Sequence, residues 1–128
     1  MKKLLSIIFF FIFQFGFSQS IDDQIKNIEQ KVISWRHDFH KHPELSNREF
    51  RTSEVIAKHL ESLGISVTRN VGVNGVVGIL EGYKKGKVVG LRADMDALPI
   101  KEKNYLPFMS INDGVMHACG HDLSLIHI

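Results

Sequence analysis

The segment "KVVGLRADMDALP", residues 87–99, constrains the fold more than any other part of this sequence. Its first half, Lys87–Leu91, is almost continuously apolar, which predicts a strand covered on both faces of a sheet. Directly after Leu91 the chain turns polar and carries Asp94 and Asp96. Ligands of open α/β sheets bind at the carboxyl ends of the strands. The segment therefore predicts a buried strand with a ligand site at its end.

Two further strands are predicted upstream of this segment. Residues 65–71 alternate between outward and inward positions, and Val76–Leu80 forms a second apolar run. The glycine- and lysine-rich link Gly82–Gly86 predicts a hairpin between Val76–Leu80 and Lys87–Leu91.

Two amphipathic helices are predicted before the strands. Apolar residues spaced by three and four predict the first helix over about residues 21–40; they are Ile21, Ile25, Ile28, Val32, Trp35 and Phe39. Ser46 and Glu49 fit a capping box for a second helix over about 47–63, with Phe50 facing inward. Gly64 is placed to end it. Helices that lead into apolar strands indicate the α/β class.

The acidic pair admits two interpretations. Asp94 and Asp96 are two residues apart, so an extended backbone points both to the same side. Two adjacent carboxylates need a cation, an arginine or a proton to offset their repulsion. Arg92 could do so in a solvated loop, and a bound metal ion could do so in an active site.

A second polar cluster, "GVMHACGHD", occupies residues 114–122 and holds the only cysteine of the chain, Cys119, between His117 and His121. Thiolate and imidazole are preferred ligands of zinc and similar metals. A structural cysteine beside surface histidines is the alternative. The nearby acidic pair and the flexible Gly114 and Gly120 favour the metal site.

Two other uses of these residue types are less well supported. A nucleophilic cysteine usually takes its histidine from a distant part of the sequence, so Cys119 beside His121 is weak evidence for such a pair. His37, His40 and His42 lie near the end of the first predicted helix, where most histidines are exposed or interact with the helix dipole. Their spacing alone does not indicate ligands.

The first residues have the pattern of a secretory signal peptide. Lys2 and Lys3 precede the apolar run Leu4–Phe17, and Gly16–Ser18 supplies small residues for cleavage before Gln19. The rival, a membrane-spanning helix, needs about 20 apolar residues. We expect export to the periplasm or the medium, without a stable membrane anchor.

Charge and cysteine content exclude some classes of function. The net charge of +2 is carried by the two lysines of residues 1–18, so the rest of the chain is neutral. It has no basic patch with interleaved aromatic residues, and no nucleic-acid partner is expected. One cysteine cannot form an internal disulfide.

The motifs together resemble one family. "WRHDFHKHPELSNREFRTSEVIAKHLESLG", "GVVGILEG", "VVGLRADMDALPI" and "GVMHACGHD" follow in the order found at the start of N-acyl-amino-acid amidohydrolases. This group includes hippurate hydrolase, aminoacylases and auxin-conjugate hydrolases, within the zinc carboxypeptidase superfamily. The resemblance covers about residues 31–122.

The resemblance implies a fold, a cofactor and a reaction. The fold is a mixed sheet flanked by helices, incomplete at the C-terminus in this chain, and the full-length enzyme would be a homodimer. The cofactor is a pair of divalent metal ions (Zn, Mn, Ni or Co). The reaction is hydrolysis of the amide bond of a small N-acyl amino acid, which releases a carboxylic acid and an amino acid.

The resemblance also implies roles for individual residues. Cys119 and His121 are metal ligands, and Asp96 is the catalytic aspartate that orients a ligand. Asp94, His117 and Asp122 support the ligands without touching the metal. The general base and the remaining ligands would follow later than Ile128, so residues 1–128 alone are expected to be inactive.

The signal-peptide pattern and the resemblance together divide the chain into three parts: a signal peptide (1–18), the N-terminal part of a catalytic domain (19–122) and a tail (123–128). The tail "LSLIHI" departs from the family pattern and suggests a truncated reading frame. Two alternatives stay open: a non-catalytic protein that binds a metal or a partner on the same half of the fold, and a metallodipeptidase or carboxypeptidase.

Overall fold

The computed structural model describes residues 20–125 of the 128. Along the chain lie helix α1 (Ile21–Lys41), helix α2 (Phe50–Ser62), strands β1 (Ser66–Val71) and β2 (Gly75–Ile79), and the short helix α3 (His121–Ser124). The predicted signal peptide and the last three residues of the tail lie outside the described residues. The combination of helices with a small antiparallel sheet confirms the α/β class.

The chain divides into two compact units, Met1–Lys31 and Val32–Ile128, with the boundary inside helix α1. In the first unit, Ser20 begins the helix: its Oγ accepts from the backbone N–H of Asp23 at 3.1 Å and donates to the Asp23 carboxylate at 2.8 Å. Ile21, Ile25 and Ile28 are exposed there. The helix prediction is therefore confirmed, but the apolar stripe is not buried in this first unit.

In the second unit, the last turn of helix α1 is buried at Phe39 and His40. The carboxylate of Asp38, one residue earlier, holds the guanidinium of Arg51 on helix α2, with 2.8 Å from Nη2 to each carboxylate oxygen. This two-oxygen contact joins the end of helix α1 to the start of helix α2.

Helix α2 begins at Phe50, later than predicted, and the expected capping box is absent. Glu49 is the N-cap residue, and no side chain caps from that position. Instead, the carboxylate of Glu44 accepts from the backbone N–H groups of Arg51 and Thr52 at 3.0 and 2.8 Å. These are two of the N–H groups that a helix start leaves unpaired. Phe50, predicted to face inward, is exposed.

Glu49 has a different role from the predicted one. Its side chain is buried and accepts a hydrogen bond from Asn74 Nδ2 at 3.1 Å. Because this carboxylate is engaged by the turn between β1 and β2, it does not reach back to the N–H of Ser46. The contact ties the start of helix α2 to the hairpin.

Helix α2 ends as predicted at Gly64. This glycine has φ of 77°, the left-handed conformation that favours glycine. The N–H of Gly64 donates to the carbonyl of Glu61, and the N–H of Ile65 donates to that of Leu60. These two bonds form a Schellman motif, which turns the chain directly into β1.

Strands β1 and β2 form a two-stranded antiparallel sheet, with Ser66 paired to Ile79 and Thr68 to Val77. The sheet packs on helix α2. Gly78 permits this close approach: a Cβ there would lie 3.1 Å from Ile65 Cγ2 and 3.2 Å from Leu60 Cδ1.

The predicted strand Lys87–Leu91 is not formed. In this structure Val88 is 97% and Leu91 80% exposed, and β2 pairs with β1 across the short link Gly72–Asn74 instead. A strand needs a neighbour to take its backbone N–H and C=O groups, and the described residues offer Lys87–Leu91 none. The predicted hairpin was therefore wrong in its pairing.

The chain from Asp96 to Ser124 is mostly irregular and is held by two isolated backbone bridges. Leu45 pairs with Ala97, and Leu98 pairs with Met116. The second bridge brings the two polar motifs of the sequence side by side. Leu125, from the predicted tail, is buried and lines an apolar pocket together with side chains of helices α1 and α2. Among residues 20–125, no helix combines the length and apolar character needed to span a membrane.

Candidate metal centre

His121 and Asp96 meet at the junction of the two polar motifs. The Nδ1 atom of His121 lies 2.9 Å from Oδ1 of Asp96 and 3.0 Å from its backbone carbonyl oxygen. Both oxygens are acceptors, so Nδ1 carries the hydrogen, and in the neutral ring Nε2 then keeps its lone pair. A histidine held in this way by a carboxylate is in the tautomer that binds a metal through Nε2.

The backbone explains why these two residues meet. Leu98 and Met116 exchange two hydrogen bonds of 2.9 and 3.0 Å, which fixes the acidic segment against the histidine–cysteine segment. Asp96 lies two residues before Leu98, and helix α3 begins five residues after Met116, at His121. The carboxylate and the imidazole are therefore positioned by a rigid backbone link.

Cys119 lies two residues before His121 and is an exposed free thiol. An accessible thiol beside a histidine of fixed tautomer supplies one sulfur and one nitrogen donor, the set that zinc and similar ions prefer. The residue types present therefore fit the divalent metal that the sequence predicts, and the assignment of Cys119 and His121 as its ligands stays a prediction. Within the described range, no group of three or more His, Cys, Asp or Glu side chains is arranged to hold an ion by itself.

Asp94 does not face the histidine as Asp96 does. Its Oδ1 accepts from Arg92 Nη2 at 2.7 Å and from Nε at 3.0 Å. These hydrogen bonds and the charge of Arg92 lower the pKa of Asp94, with a smaller contribution from His121. The Asp–Arg pair considered from the sequence is thus present. The predicted supporting role of Asp94 at a metal stays a prediction.

His117, the first histidine of the motif, is buried, and neither of its ring nitrogens has a hydrogen-bond partner within residues 20–125. Burial lowers its pKa, because the surroundings disfavour the charged ring. Its nitrogens are the kind of orphaned polar atoms that a water or ligand completes in an assembled site. Its predicted supporting role also stays a prediction.

Asp122, whose predicted supporting role stays a prediction, contacts a histidine that the sequence did not indicate as part of the site. His40, on the last turn of helix α1, places Nδ1 2.9 Å from Asp122 Oδ2 and Nε2 3.2 Å from Glu102 Oε1. All three side chains are buried. Arg36 Nε lies 3.6 Å from the same oxygen of Asp122.

One sequence feature pointed weakly to this cluster. Arg36 and His40 are four residues apart and therefore lie on the same face of the helix. Two basic side chains on one face indicate that an acidic side chain packs against them. The partner, Asp122, is 82 residues from His40, and spacing in the sequence cannot identify it. His40 was therefore assigned to the helix end and not to the site.

The chain is similar to known proteins over most of its length. Residues 90–126, which contain both motifs, match Peptidase family M20/M25/M40. Thermostable carboxypeptidase 1 of Saccharolobus solfataricus is 47% identical over 105 residues, which are 81% of this chain and 27% of that protein. The N-acyl-L-amino acid amidohydrolase of Geobacillus stearothermophilus is 43% identical over 104 residues, 81% of this chain and 28% of that protein.

A solved structure gives the same result. The YxeP protein of Bacillus subtilis, described as a dinuclear metal binding peptidase from the M20 family, superposes with a TM-score of 0.76 at 42% identity. The match covers 80% of this chain and 29% of that one. The chain thus spans slightly more than a quarter of the length of these relatives. On its motifs, its fold and these similarities, the chain belongs to peptidase family M20/M25/M40, a family of metallopeptidases and amidohydrolases.

Proposed function

We propose that this protein hydrolyses the amide bond of N-acyl amino acids at a centre of two divalent metal ions. The observation that carries the proposal is the pair His121–Asp96: a carboxylate fixes the imidazole tautomer within a motif that also presents an accessible thiol, Cys119. The amidohydrolase of Geobacillus stearothermophilus, similar over four fifths of this chain, supports the substrate class.

Each residue has a distinct part in the proposed centre. Cys119, as thiolate, and His121, through Nε2, hold a metal ion. Asp96 keeps the hydrogen on Nδ1 of His121 and, by its negative charge, makes that imidazole a stronger ligand. When bound, a divalent ion polarises the scissile carbonyl and lowers the pKa of the attacking water. The candidate metals are Zn, Mn, Ni and Co.

The test uses protein expressed from the complete gene. We expect it to release free amino acid from N-acetyl and N-benzoyl amino acids, to lose activity with a chelator and to regain it when one of the four metals is added. Cys119→Ala and His121→Ala are expected to lose both metal and activity. Lys58→Ala, at an exposed position of helix α2, is the matched control. Full metal content in both ligand variants would refute the proposal.

A second candidate substrate is a peptide with a free carboxyl terminus, because the similar protein from Saccharolobus solfataricus is a carboxypeptidase. A blocked dipeptide in the same assay separates the two substrate classes. Cleavage of the dipeptide without cleavage of N-acetyl amino acids would favour the peptidase. We expect residues 1–128 alone to be inactive in both assays, since they correspond to slightly more than a quarter of these relatives.

We also propose that the protein is exported. Lys2 and Lys3 followed by the apolar run Leu4–Phe17 support this. N-terminal sequencing of the exported protein is expected to begin at Gln19. An intact Met1 on protein retained in the cytoplasm would contradict export.

A further inference from the structure

The buried cluster around His40 joins three separate parts of the second unit. His40 lies on the last turn of helix α1, and Asp122 lies in helix α3 directly after His121. Glu102 lies in the irregular segment between them and is fixed there because its Oε2 accepts from the backbone N–H of Ser110 at 2.6 Å. One imidazole thus bridges two carboxylates from distant parts of the sequence.

The bridge requires hydrogen-bond donors on both nitrogens of the His40 ring. Asp122 is 3% and His40 5% exposed, so water cannot replace a lost partner at low cost. An ionised carboxylate only accepts, and a neutral imidazole donates from only one nitrogen. Two ionised carboxylates at 2.9 and 3.2 Å are both satisfied only if both nitrogens of His40 carry a hydrogen.

Charge in the cluster supports this state. Burial would raise the pKa of Glu102, but hydrogen bonds from the Ser110 N–H and from His40 outweigh it and lower the pKa overall. Two acidic side chains thus face two basic ones, Arg36 and His40, and partners of opposite character make the burial of ionisable groups tolerable.

The cluster positions helix α3, because a helix this short is not stable without tertiary contacts. It has four residues, and an isolated helix of this length does not form in water. Successive residues of a helix point about 100° apart. Asp96 holds His121 in one direction, and His40 holds the next residue, Asp122, in another. Two anchors on adjacent residues fix both the position and the rotation of the helix.

We propose that His40 is a positioning residue for the metal centre: through Nδ1 it holds Asp122, which fixes the rotation of helix α3 and thereby aims Nε2 of His121 at the metal. This inference rests on the proposed function, since it needs His121 to be a ligand. It assigns separate roles to the two bonds of the same ring. The bond to Asp122 sets metal affinity, whereas the bond to Glu102 stabilises the surrounding segment.

The test separates the two bonds with isosteric variants in protein from the complete gene. His40→Asn puts an amide N–H group near the position of Nδ1 and keeps the contact to Asp122. His40→Gln reaches the position of Nε2 and keeps the contact to Glu102. We expect His40→Gln to weaken Zn²⁺ binding about 10-fold or more, measured by competition with a chromogenic chelator. His40→Asn is expected to stay within about 3-fold of wild type, although each variant loses one buried hydrogen bond.

A second comparison makes the same distinction from the carboxylate side. Asp122→Asn is expected to weaken Zn²⁺ binding and to change the visible spectrum of the Co²⁺-substituted protein, whereas Glu102→Gln lowers thermal stability and leaves both readouts near wild type. If a His40 variant does not fold, these two carboxylate variants test the inference in its place. The inference would be overturned if the two His40 variants lost Zn²⁺ affinity equally and the two carboxylate variants did so as well.

The outcomes also separate this inference from the proposed function. If the wild-type protein binds no metal, or binds it without Cys119 and His121, the proposed function fails. If wild type binds metal through those residues and the paired variants do not differ, only the role of His40 fails.

Discussion

The Nδ1 atom of His121 lies 2.9 Å from Oδ1 of Asp96, and the two residues are 25 positions apart in the sequence. The backbone carbonyl of Asp96 accepts from the same nitrogen at 3.0 Å. The imidazole is thus fixed by one residue through two oxygens, and its free nitrogen is on the other edge of the ring. This single relationship turns two sequence motifs into one candidate metal centre.

Replacing Asp96 tests that relationship directly. Asp96→Asn leaves the backbone carbonyl as an acceptor but removes the charge that makes His121 a stronger ligand. We expect metal affinity to fall about 10-fold, the lower end of the range for lost supporting partners, and turnover to fall with it. Chelator competition gives the affinity. Asp113→Asn, which removes a carboxylate from an exposed ion pair with Lys101, is the control. Unchanged affinity in Asp96→Asn would contradict the assigned role.

The start of helix α2 gives a stability prediction. Glu44 accepts from the N–H groups of Arg51 and Thr52, so Glu44→Ala leaves both unpaired. We expect the free energy of unfolding to fall by about 1–2 kcal/mol, the upper range for loss of a helix cap. Ser46→Ala, which removes the cap expected from the sequence, should change it by less than about 0.5 kcal/mol. Urea denaturation measures both. A larger loss of stability in Ser46→Ala than in Glu44→Ala would instead support the capping box predicted from the sequence.

The contrast between these two caps shows what the sequence could predict. The extents of helix α1 and of β1 and the stop at Gly64 follow from periodicity and from the conformation of one glycine, both local properties. Glu44 caps a helix from outside it, and Glu49 bonds to the hairpin turn at Asn74 instead. Those contacts depend on tertiary packing, which the pattern Ser-x-x-Glu does not contain.

The candidate site shows the same division. The acidic pair Asp94 and Asp96 and the cluster around Cys119 could be selected from residue types and spacing, whereas the separate roles of their members came from the family resemblance. The contact of His40 with Asp122 joins residues 82 positions apart, and no local pattern encodes it. The apolar run Lys87–Leu91 was assigned as a strand from composition, but strand formation also needs a paired neighbour.

Acid should weaken the packing of β1 on helix α2. Arg69 on β1 is paired with Glu54 through its Nε at 3.1 Å and with Glu61 through its Nη2 at 2.9 Å. Hydrogen bonds from Arg69 lower the pKa of both acids below the usual value of 4.5. A lowered pKa means that the unfolded chain takes up protons first. The stabilisation is therefore complete above about pH 4.5 and is lost as the pH falls below it.

Arg69→Met should remove this acid sensitivity. We expect the urea midpoint of wild type to fall more than that of Arg69→Met between about pH 5 and pH 3. Arg48→Met, which removes the same charge from an exposed position, is the control and should follow wild type. Identical pH profiles for wild type and Arg69→Met would show that these ion pairs contribute nothing measurable, as many exposed pairs do.

The exposed run Lys87–Leu91 predicts opposite effects of one substitution in two contexts. Val88 is 97% and Val89 82% exposed in this structure, and an uncovered apolar segment promotes association. In residues 1–128 expressed alone, Val88→Lys should raise the concentration at which the chain stays monomeric, measured by light scattering. Asn27→Lys adds the same charge at an exposed position of helix α1 and controls for net charge.

In protein from the complete gene, the same Val88→Lys should destabilise, because the solid apolar run predicts a strand covered on both faces. A buried lysine without a partner would lower the thermal midpoint by several degrees, whereas Asn27→Lys would leave it nearly unchanged. A Val88→Lys protein as stable as wild type would show that Lys87–Leu91 stays on the surface in the complete protein too, and the strand assigned from the sequence would then be wrong in both contexts.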